Sequence, residues 1–359
     1  MKFSAHIETR ISDWKLIPEL ESLGYDAVWV PDTQMIWSDC YSVMALGAAN
    51  TSKIKIGTGI AVPGTRIAPT TAMSIASINV LAPGRTFLGI GTGHTAMRVM
   101  GHDPMGIRDF REYIRVVKSM LNNEETEFTW RDKTTKLAWQ NHGSGFRNTE
   151  DKIPIYVAAN GPLALRTAGA LGDGIVSLFN DDPAVLKSNL DTVKIGADKA
   201  NRILPEDFYS TTITNATVLK PGESLTDERI QRLAAPWVAV AIHFVYEIWR
   251  YTGDDSVVPD YMKNIWEEYS DQTKQKGISD DRLHQVLHEG HCSFCPEDEI
   301  KFATPETIEG SCLVGEPEQI AERLKECASL GLNEVSLLPG LNDFREVVKD
   351  FAERVFPVL

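Results

Sequence analysis

The sequence has no cluster of lysine and arginine residues, and its acidic residues outnumber its basic ones. The 359 residues include 36 Lys and Arg against 50 Asp and Glu, which gives a formal net charge of −14. Nucleic acids and anionic membranes are bound through basic surfaces, so this composition argues against both kinds of partner. Uninterrupted apolar runs also fall short of the roughly 20 residues that a membrane-spanning helix needs. We therefore expect neither a nucleic-acid nor a membrane partner.

Cysteine is scarce, and its number is odd. Five cysteines scattered through a long chain favour reduced thiols and a cytoplasmic protein. The first six residues lead directly into a strand pattern, so no signal peptide is expected. Internal repeats and low-complexity tracts are absent from the sequence as well. With 43% hydrophobic and 24% charged residues, the composition is that of an ordinary globular protein.

Residues 53–93 are predicted to form one strand–helix–strand unit in which both strands end in the same tripeptide. The first strand ends in Gly57-Thr58-Gly59, and the second is followed by Gly91-Thr92-Gly93. The carboxyl ends of parallel strands are where α/β folds place their ligands. Glycine at these points lets backbone amides approach a flat or anionic ligand, although glycines that only form tight turns are the alternative.

Strand and helix patterns alternate along nearly the whole chain. A helix pattern follows each predicted strand, and this alternation predicts an α/β fold, a (β/α)₈ TIM barrel. We expect a single domain over residues 1–359, since barrels of this length commonly form one unit. The predicted strands cover residues 2–7, 27–30, 54–59, 86–90, 153–158, 174–178, 211–218 and 334–338.

Two segments depart from the repeat. Residues 124–151 are polar and are interpreted as a long loop or small hairpin over the barrel mouth. Residues 250–310 are predicted to form a helical insertion before the last strand, acting as a lid or as a contact between subunits. The insertion contains potential metal ligands, but a second Cys-x-x-Cys motif is missing, so no metal is predicted. A metal-dependent hydrolase at this cluster remains the alternative from another class of function. The potential ligands are His284, His288, His291, Cys292 and Cys295.

Residues 155–174 contain a second candidate ligand site. A predicted strand ends in Ala159-Asn160-Gly161, and Pro162 then occupies an early helical position, where its missing N–H costs little. The free amides and the dipole of such a helix start favour an anion, and the phosphate of a cofactor would fit. The alternative is a plain strand-to-helix turn in which Asn160 caps the helix.

Four segments together resemble the bacterial-luciferase-like superfamily of flavin- and deazaflavin-dependent enzymes, which includes methylenetetrahydromethanopterin reductases. The resemblance covers most of the predicted barrel but not residues 250–310. Its specificity lies in the order and combined length of the segments. They are LGYDAVWVPD, KIKIGTGIAVPGTRIAPTTAMSIASINVLAPGRTFLGIGTG, IPIYVAANGPLALRTAGALGDGIV and LVGEPEQIAERLKECASLGLNEVSLLP.

The resemblance implies a barrel that holds FMN or deazaflavin F420 at the carboxyl ends of its strands. Some relatives have a cis peptide bond beside the cofactor ring, at the position of Gly59–Ile60 here. The residues that match the family's cofactor site are Thr58, Gly59, Ile60, Thr92 and Gly93 beside the ring, and Ala159, Asn160 and Gly161 at the phosphate.

Departures from the family pattern bear on the reaction. Many relatives have a histidine after the acidic residue that ends the second strand, whereas this chain has Thr33 after Asp32. His94 stands where many relatives have an acidic residue, and we interpret His94 as an acid–base group, assisted by Asp32. His6 and Trp37 are candidate substrate contacts. The alternatives are that His94 is a solvated loop histidine, that His6 is a core histidine, and that Trp37 packs as an ordinary aromatic residue.

The resemblance therefore implies an FMN-type monooxygenase that acts on a small organic substrate and receives reduced flavin from a separate reductase. An F420-dependent reductase or dehydrogenase on the same barrel is the second interpretation, because one fold supports both chemistries. A barrel without catalytic activity is a third, since Thr33 replaces the histidine of many relatives. We expect a homodimer or a higher homo-oligomer.

Overall fold

Eight strands close into a barrel in this computed structural model, which describes residues 1–179 and 181–359. This confirms the predicted TIM barrel. In chain order the strands are β1 (Lys2–His6), β2 (Ala27–Val30), β3 (Lys55–Ala61), β4 (Thr86–Ile90), β5 (Thr126–Trp130), β6 (Lys133–Leu137), β7 (Ile155–Ala158), β8 (Gly174–Leu178), β9 (Tyr209–Thr214), β10 (Ala216–Val218), β11 (Leu313–Gly315) and β12 (Glu334–Leu337). The order around the barrel is β1-β12-β9-β8-β7-β4-β3-β2.

Helices connect the strands. They are α1 (Leu16–Leu23), α2 (Cys40–Ala49), α3 (Ala68–Leu81), α4 (His94–Arg98), α5 (Ile107–Leu121), α6 (Pro162–Leu171), α7 (Pro183–Lys199), α8 (Glu228–Thr252), α9 (Lys263–Gln275), α10 (Leu283–Leu287), α11 (Pro305–Ser311), α12 (Pro317–Ser329) and α13 (Phe344–Arg354). Local signals fix several of their ends: α1 stops at Gly24, whose φ of +90° suits a residue without a side chain, and Asp39 caps α2 by accepting from the Ser42 amide.

Aromatic side chains fill the inside of the barrel. Trp29 and Phe87 meet edge to face with their ring centroids 4.4 Å apart, and Tyr156 lies 5.5 Å from Phe87. Tyr209 stacks on Tyr156 at 5.3 Å. Because strand side chains alternate between the two faces, these residues identify which positions of β2, β4, β7 and β9 point inward.

The structure differs from the predicted elements in three respects. The predicted strand 211–218 divides at Asn215, which is fully buried and donates from Nδ2 to the Leu233 carbonyl. β9 therefore ends in the barrel, while β10 pairs with β11 outside it. The helical run predicted from residue 250 begins earlier, with the 25-residue helix α8.

The segment 124–151 contains an antiparallel hairpin, β5–β6, but the predicted position over the barrel mouth was wrong. Trp139 donates to the Met120 carbonyl at the end of α5, and Asn79 near the end of α3 donates to the Asp151 carbonyl. Both contacts lie at the amino ends of the strands, because α3 and α5 run back toward that end of the barrel.

Contacts divide the chain into two compact units. The first unit comprises Met1–Met97, Asp103–Thr212 and Cys327–Ser336, and contains most of the barrel strands. The second comprises Arg98–His102, Ile213–Glu326 and Leu337–Leu359. Within the part of the chain that is described, no helix is both long enough and apolar enough to cross a membrane.

Candidate active site

Glycines in β3, in β4 and directly after β4 leave space that other atoms of the protein fill. A Cβ atom on Gly57 would overlap the Phe87 ring, and one on Gly89 would overlap the Thr58 carbonyl oxygen and approach the Trp29 ring. A Cβ on Gly91 would overlap Ile60. These glycines therefore admit the aromatic layer and let β3 and β4 approach closely, which is a packing role that the tripeptide pattern alone did not reveal.

The peptide bond between Gly59 and Ile60 is cis, at the position that the family resemblance indicated. The pairing of β3 with β4 changes register between Thr58 and Ala61, which contains this bond. Gly59 and Ile60 remain partly exposed, whereas Thr58 is fully buried and donates from Oγ1 to the Gly89 carbonyl at 2.6 Å. The Thr58 side chain thus joins the two strands; cofactor contacts of Thr58, Gly59 and Ile60 stay predictions.

His6 lies at the end of β1 as a buried, neutral imidazole. Nδ1 is 2.8 Å from the Ser336 hydroxyl, and the ring stacks on Trp29 with centroids 5.4 Å apart. Burial lowers the pKa of His6 to about 3, because the charged form would lose its hydration. The opposite edge faces Gly59, since a Cβ there would lie 2.8 Å from His6 Nε2. His6 is therefore placed to hydrogen-bond without carrying charge, and its contact with substrate stays a prediction.

A buried carboxylate organises the layer below His6. Glu334 accepts from Ser4 at 2.7 Å and from the Trp29 indole at 2.9 Å through Oε1, and from Tyr209 at 3.0 Å through Oε2. Burial raises the pKa of Glu334 above its ordinary value, although these three donors act in the opposite direction. Glu334 therefore fixes the orientation of the aromatic rings that support the mouth of the barrel.

Asp32, which follows β2, is buried and forms an ion pair with the partly exposed Arg66. Arg66 Nη1 lies 2.6 Å from Asp32 Oδ1 and also contacts Oδ2, while Nη2 binds Asp39 at 2.8 Å. Asp32 is 4% exposed. The pair ties the loop after β2 to the loop after β3. Both carboxylate oxygens of Asp32 thus contact the permanently charged guanidinium of Arg66. A catalytic role for Asp32 stays a prediction.

His94 and its neighbours lie where β4 gives way to α4. Gly93 has a φ of +86°, in the left-handed region, and His94 begins the helix with its side chain partly exposed. The Thr92 carbonyl accepts from the Met105 amide at 3.0 Å. Trp37, after β2, is partly exposed, and its amide donates to the Thr33 carbonyl. The roles predicted for His94, Thr92, Gly93 and Trp37 stay predictions.

The turn between β7 and α6 presents an open helix start. Gly161 is the N-cap residue, no side chain caps the helix, and Pro162 begins it. Asn160 Oδ1 accepts from the Leu178 amide at 2.8 Å, which joins this turn to the end of β8. Asn160 and Gly161 are exposed, and a Cβ on Gly161 would meet no atom within 4 Å.

These features fit a cofactor that has a flat ring and a phosphate. The first turn of α6 contains no acidic residue, so the helix dipole and the uncapped amides favour an anion there. Ile60 and Ala158 are partly exposed and pack on the aromatic layer, on either side of Gly91. They provide an apolar surface for a ring. The phosphate contacts of Ala159, Asn160 and Gly161 stay predictions.

The His and Cys cluster in the second unit does not show the geometry of a metal centre. Among the described residues, no group of three or more His, Cys, Asp or Glu side chains is arranged to hold a metal ion. His288 Nε2 instead lies 3.7 Å from a Glu247 carboxylate oxygen. Burial raises the pKa of Cys295 to about 12, which leaves it a thiol at neutral pH.

Sequence reasoning missed Arg66, Ser336 and Glu334. A charged residue at the start of a predicted barrel strand was a signal for Glu334, because a buried strand admits a carboxylate only with partners. The basic residue in the loop after β3 was a weaker signal for Arg66. Ser336 is 330 residues from its partner His6, and nothing local in the sequence connects them.

Known proteins resemble this chain in sequence and in structure. The family model of luciferase-like monooxygenases matches residues 14–334. The 5,10-methylenetetrahydromethanopterin reductase of Methanolobus tindarius is 33% identical over 188 residues, which are 51% of this chain and 54% of that protein. The chain thus matches about half the length of that relative.

Two solved structures share the fold. The coenzyme F420-dependent tetrahydromethanopterin reductase of Methanopyrus kandleri has a TM-score of 0.68 and 21% identity, covering 99% of this chain and 98% of that one. The oxygenating constituent of 3,6-diketocamphane monooxygenase from Pseudomonas putida, in complex with FMN, has a TM-score of 0.65 and 18% identity, with coverages of 99% and 98%.

Proposed function

This chain belongs to the luciferase-like monooxygenase family of oxidoreductases, and we propose that it is an F420-dependent reductase or dehydrogenase of a small organic substrate. The observation that carries the proposal is the uncapped start of α6 beside the apolar surface of Ile60 and Ala158. Together they offer an anion site and a ring site at the carboxyl ends of β3 and β7, the two strands that flank β4, where α/β barrels bind their ligands.

The choice of F420 rests on the relatives. The 5,10-methylenetetrahydromethanopterin reductase of Methanolobus tindarius is 33% identical in sequence, and the tetrahydromethanopterin reductase of Methanopyrus kandleri, which has the same fold, depends on coenzyme F420. F420, when bound, supplies or accepts a hydride. The residues of this chain would bind and orient it: the α6 amides hold the phosphate, and Ile60 and Ala158 support the ring.

Side chains at the mouth would handle the substrate. His6 offers a neutral imidazole edge beside Gly59, held in orientation by Ser336 and by stacking on Trp29. When a hydride moves between cofactor and substrate, a proton must also leave or reach an oxygen or carbon atom of the substrate. We assign the transfer of this proton to His94. Arg66 and Asp32 would hold the loops after β2 and β3 in place around this site.

An FMN-type monooxygenase is the second candidate. Its support is the description of the matching family and the likeness in fold to a monooxygenase that binds FMN. Reduced FMN, when bound, reacts with molecular oxygen. In this case the apolar aromatic layer would exclude water from the ring, and a separate reductase would supply the reduced flavin.

A paired titration tests the two candidates. The purified protein is titrated without oxygen with reduced F420 and with reduced FMN, and binding is followed by cofactor fluorescence and by calorimetry. We expect the F420 affinity to exceed the FMN affinity by at least about tenfold, with no oxygen uptake when air is admitted. Tighter binding of reduced FMN with oxygen uptake would favour the monooxygenase. If neither cofactor binds, both candidates fail.

A further inference from the structure

Large apolar side chains are exposed at the carboxyl ends of the strands of the first unit. Four of them lie at or beyond the carboxyl ends of β2, β3, β7 and β8, which together with β4 are consecutive strands of the barrel. We call these four residues the apolar rim: Met35 (65% exposed), Ile67 (37%), Leu163 (57%) and Leu178 (45%). Several exposed apolar residues at the end of a barrel where ligands bind are typical of a binding surface, whereas exposed apolar residues without a function are usually scattered singly.

The basic side chains near the apolar rim are already neutralised. Six loops of the first unit join a barrel strand to the helical segment that follows it, which after β1 is a 3₁₀ helix over Ile11–Lys15. The sequences of these six loops contain two basic residues, Arg10 and Arg66. Arg10 Nε binds Asp13 at 2.9 Å, and Arg66 binds Asp32 and Asp39. Recognition of a phosphate or carboxylate group normally uses an Arg or Lys that has no other counterion. These loops provide none.

One of the polar groups at the mouth, His6, is suited to a neutral partner. Its Nδ1 is held by Ser336, and its Nε2 edge faces Gly59. Because burial keeps the ring uncharged, it can exchange a hydrogen bond with an alcohol or carbonyl oxygen but cannot form an ion pair. The α6 start is the remaining anion site, and the proposed function assigns it to the cofactor.

We propose that the substrate is a neutral, mainly apolar molecule with one oxygen that bonds to His6, and that phosphorylated and carboxylated compounds are excluded. The inference rests on the proposed function, because the site is that of the cofactor-dependent reaction. Apolar contact with the rim would supply the affinity, and the His6 hydrogen bond would fix the position of the reacting carbon. A charged group would lose its hydration at the rim without gaining a counterion.

A series of three probes of the same shape and different charge tests the proposal. The probes are 2-naphthalenemethanol, 2-naphthylmethylammonium and 2-naphthoate, and calorimetry measures their binding to the protein with and without cofactor. We expect the alcohol to bind at least about tenfold more tightly than the carboxylate and more tightly than the ammonium compound. Equal or tighter binding of either ion, or no binding of the alcohol, would overturn the proposal.

A pair of variants tests whether the alcohol binds at the apolar rim. Met35→Asp should weaken alcohol binding by about tenfold or more, because it adds a charge to the apolar surface. Ile203→Asp is the matched control, since Ile203 is 94% exposed and precedes β9 at the other end of the strands. Equal affinities of the two variants would contradict the rim. Cofactor binding is measured in both, so a failure of the proposed function is seen separately.

Discussion

Arg66 and Asp32 form an ion pair in which Arg66 Nη1 lies 2.6 Å from Asp32 Oδ1. Burial alone would lower the pKa of Arg66, but the Asp32 carboxylate outweighs this effect and holds that pKa above its ordinary value. Removing the guanidinium would leave a carboxylate that is 4% exposed without its counterion. A buried charge that loses its partner lowers the stability of the folded protein. The contribution of the Arg66–Asp32 pair can therefore be measured by unfolding experiments.

We expect Arg66→Met to lower the free energy of unfolding by about 2–4 kcal/mol, because Asp32 stays buried while its cation is gone. The double variant Arg66→Met with Asp32→Asn should recover part of this loss, since it buries no unpaired charge. Urea unfolding followed by circular dichroism measures both. A single variant within about 0.5 kcal/mol of the parent would show that water or another group compensates Asp32.

The burial of His6 should make stability depend on pH in a definite direction. The folded protein holds His6 with a pKa of about 3, whereas an unfolded chain binds that proton near pH ~6.5. Between these values the unfolded state binds more protons, so the contribution of His6 is complete above about pH 7 and is lost as the pH falls toward 3.

His6→Gln should remove this dependence. From pH 7 to pH 5 the parent should lose about 2 kcal/mol more unfolding free energy than the variant, as the two pKa values require. Urea unfolding at the two pH values provides the comparison. His142→Gln, at an exposed position, is the control and should follow the parent. Identical losses in parent and His6→Gln would mean that His6 is charged when folded.

Gly89 should tolerate no side chain. A Cβ there would overlap the Thr58 carbonyl oxygen, a backbone atom that cannot rotate away, and would also approach the Trp29 ring. We expect Gly89→Ala to cost about 3 kcal/mol or more of unfolding free energy, or to prevent folding. Gly106→Ala is the control, because nothing lies within 4 Å of its added Cβ. Thermal unfolding measures the midpoint temperature of both variants. Equal midpoints would contradict the close approach of β3 and β4.

The barrel could be predicted from the sequence because its signals are local. The apolar run at residues 27–30 and the Pro83-Gly84 stop between α3 and β4 each act within a few residues, and the same alternation recurs along the chain. The division of the predicted strand at Asn215 could not be predicted. Its cause is a buried hydrogen bond to the Leu233 carbonyl on α8, which a local pattern does not contain.

The candidate site was predictable only in outline. The glycine tripeptides and the start of α6 lie at the carboxyl ends of the strands, where the pattern predicted them, since turns and helix starts are also local signals. The side chains that orient the site come from distant parts of the chain: Glu334 binds Ser4 across 330 residues. A sequence pattern shows which residues share a face but not which distant residue meets them, so the support of His6 and Trp29 was missed.

The open space at Gly161 allows a clean test of the phosphate site. Gly161→Val should leave the fold intact, because its added Cβ meets nothing and the φ of −107° suits any residue. Cofactor affinity should fall by about tenfold or more, since the side chain would occupy the position of the anion. Gly106→Val is the matched control, as it is also an N-cap glycine with open space. An affinity within about twofold of the parent, by fluorescence titration, would place the phosphate elsewhere.

His94 should move a proton to or from the substrate. It is partly exposed and begins α4 directly after Gly93, so β4 delivers it to the mouth of the barrel. We expect His94→Ala to lower turnover by on the order of 10²-fold, the usual scale for an acid–base residue, with cofactor affinity unchanged. His142→Ala is the control, because that histidine is exposed in the segment at the amino ends of the strands.

Chemical rescue separates proton transfer by His94 from a structural role. Imidazole added to the His94→Ala variant can occupy the space that the side chain left and can carry the same proton, so turnover should rise with imidazole concentration. Rescue should be absent in the parent and in His142→Ala. A structural role would give a variant with altered cofactor affinity and no response to imidazole. Near-normal turnover of His94→Ala between about pH 6 and 9 would show that the proton passes through another group, and His6 would be the next side chain to replace.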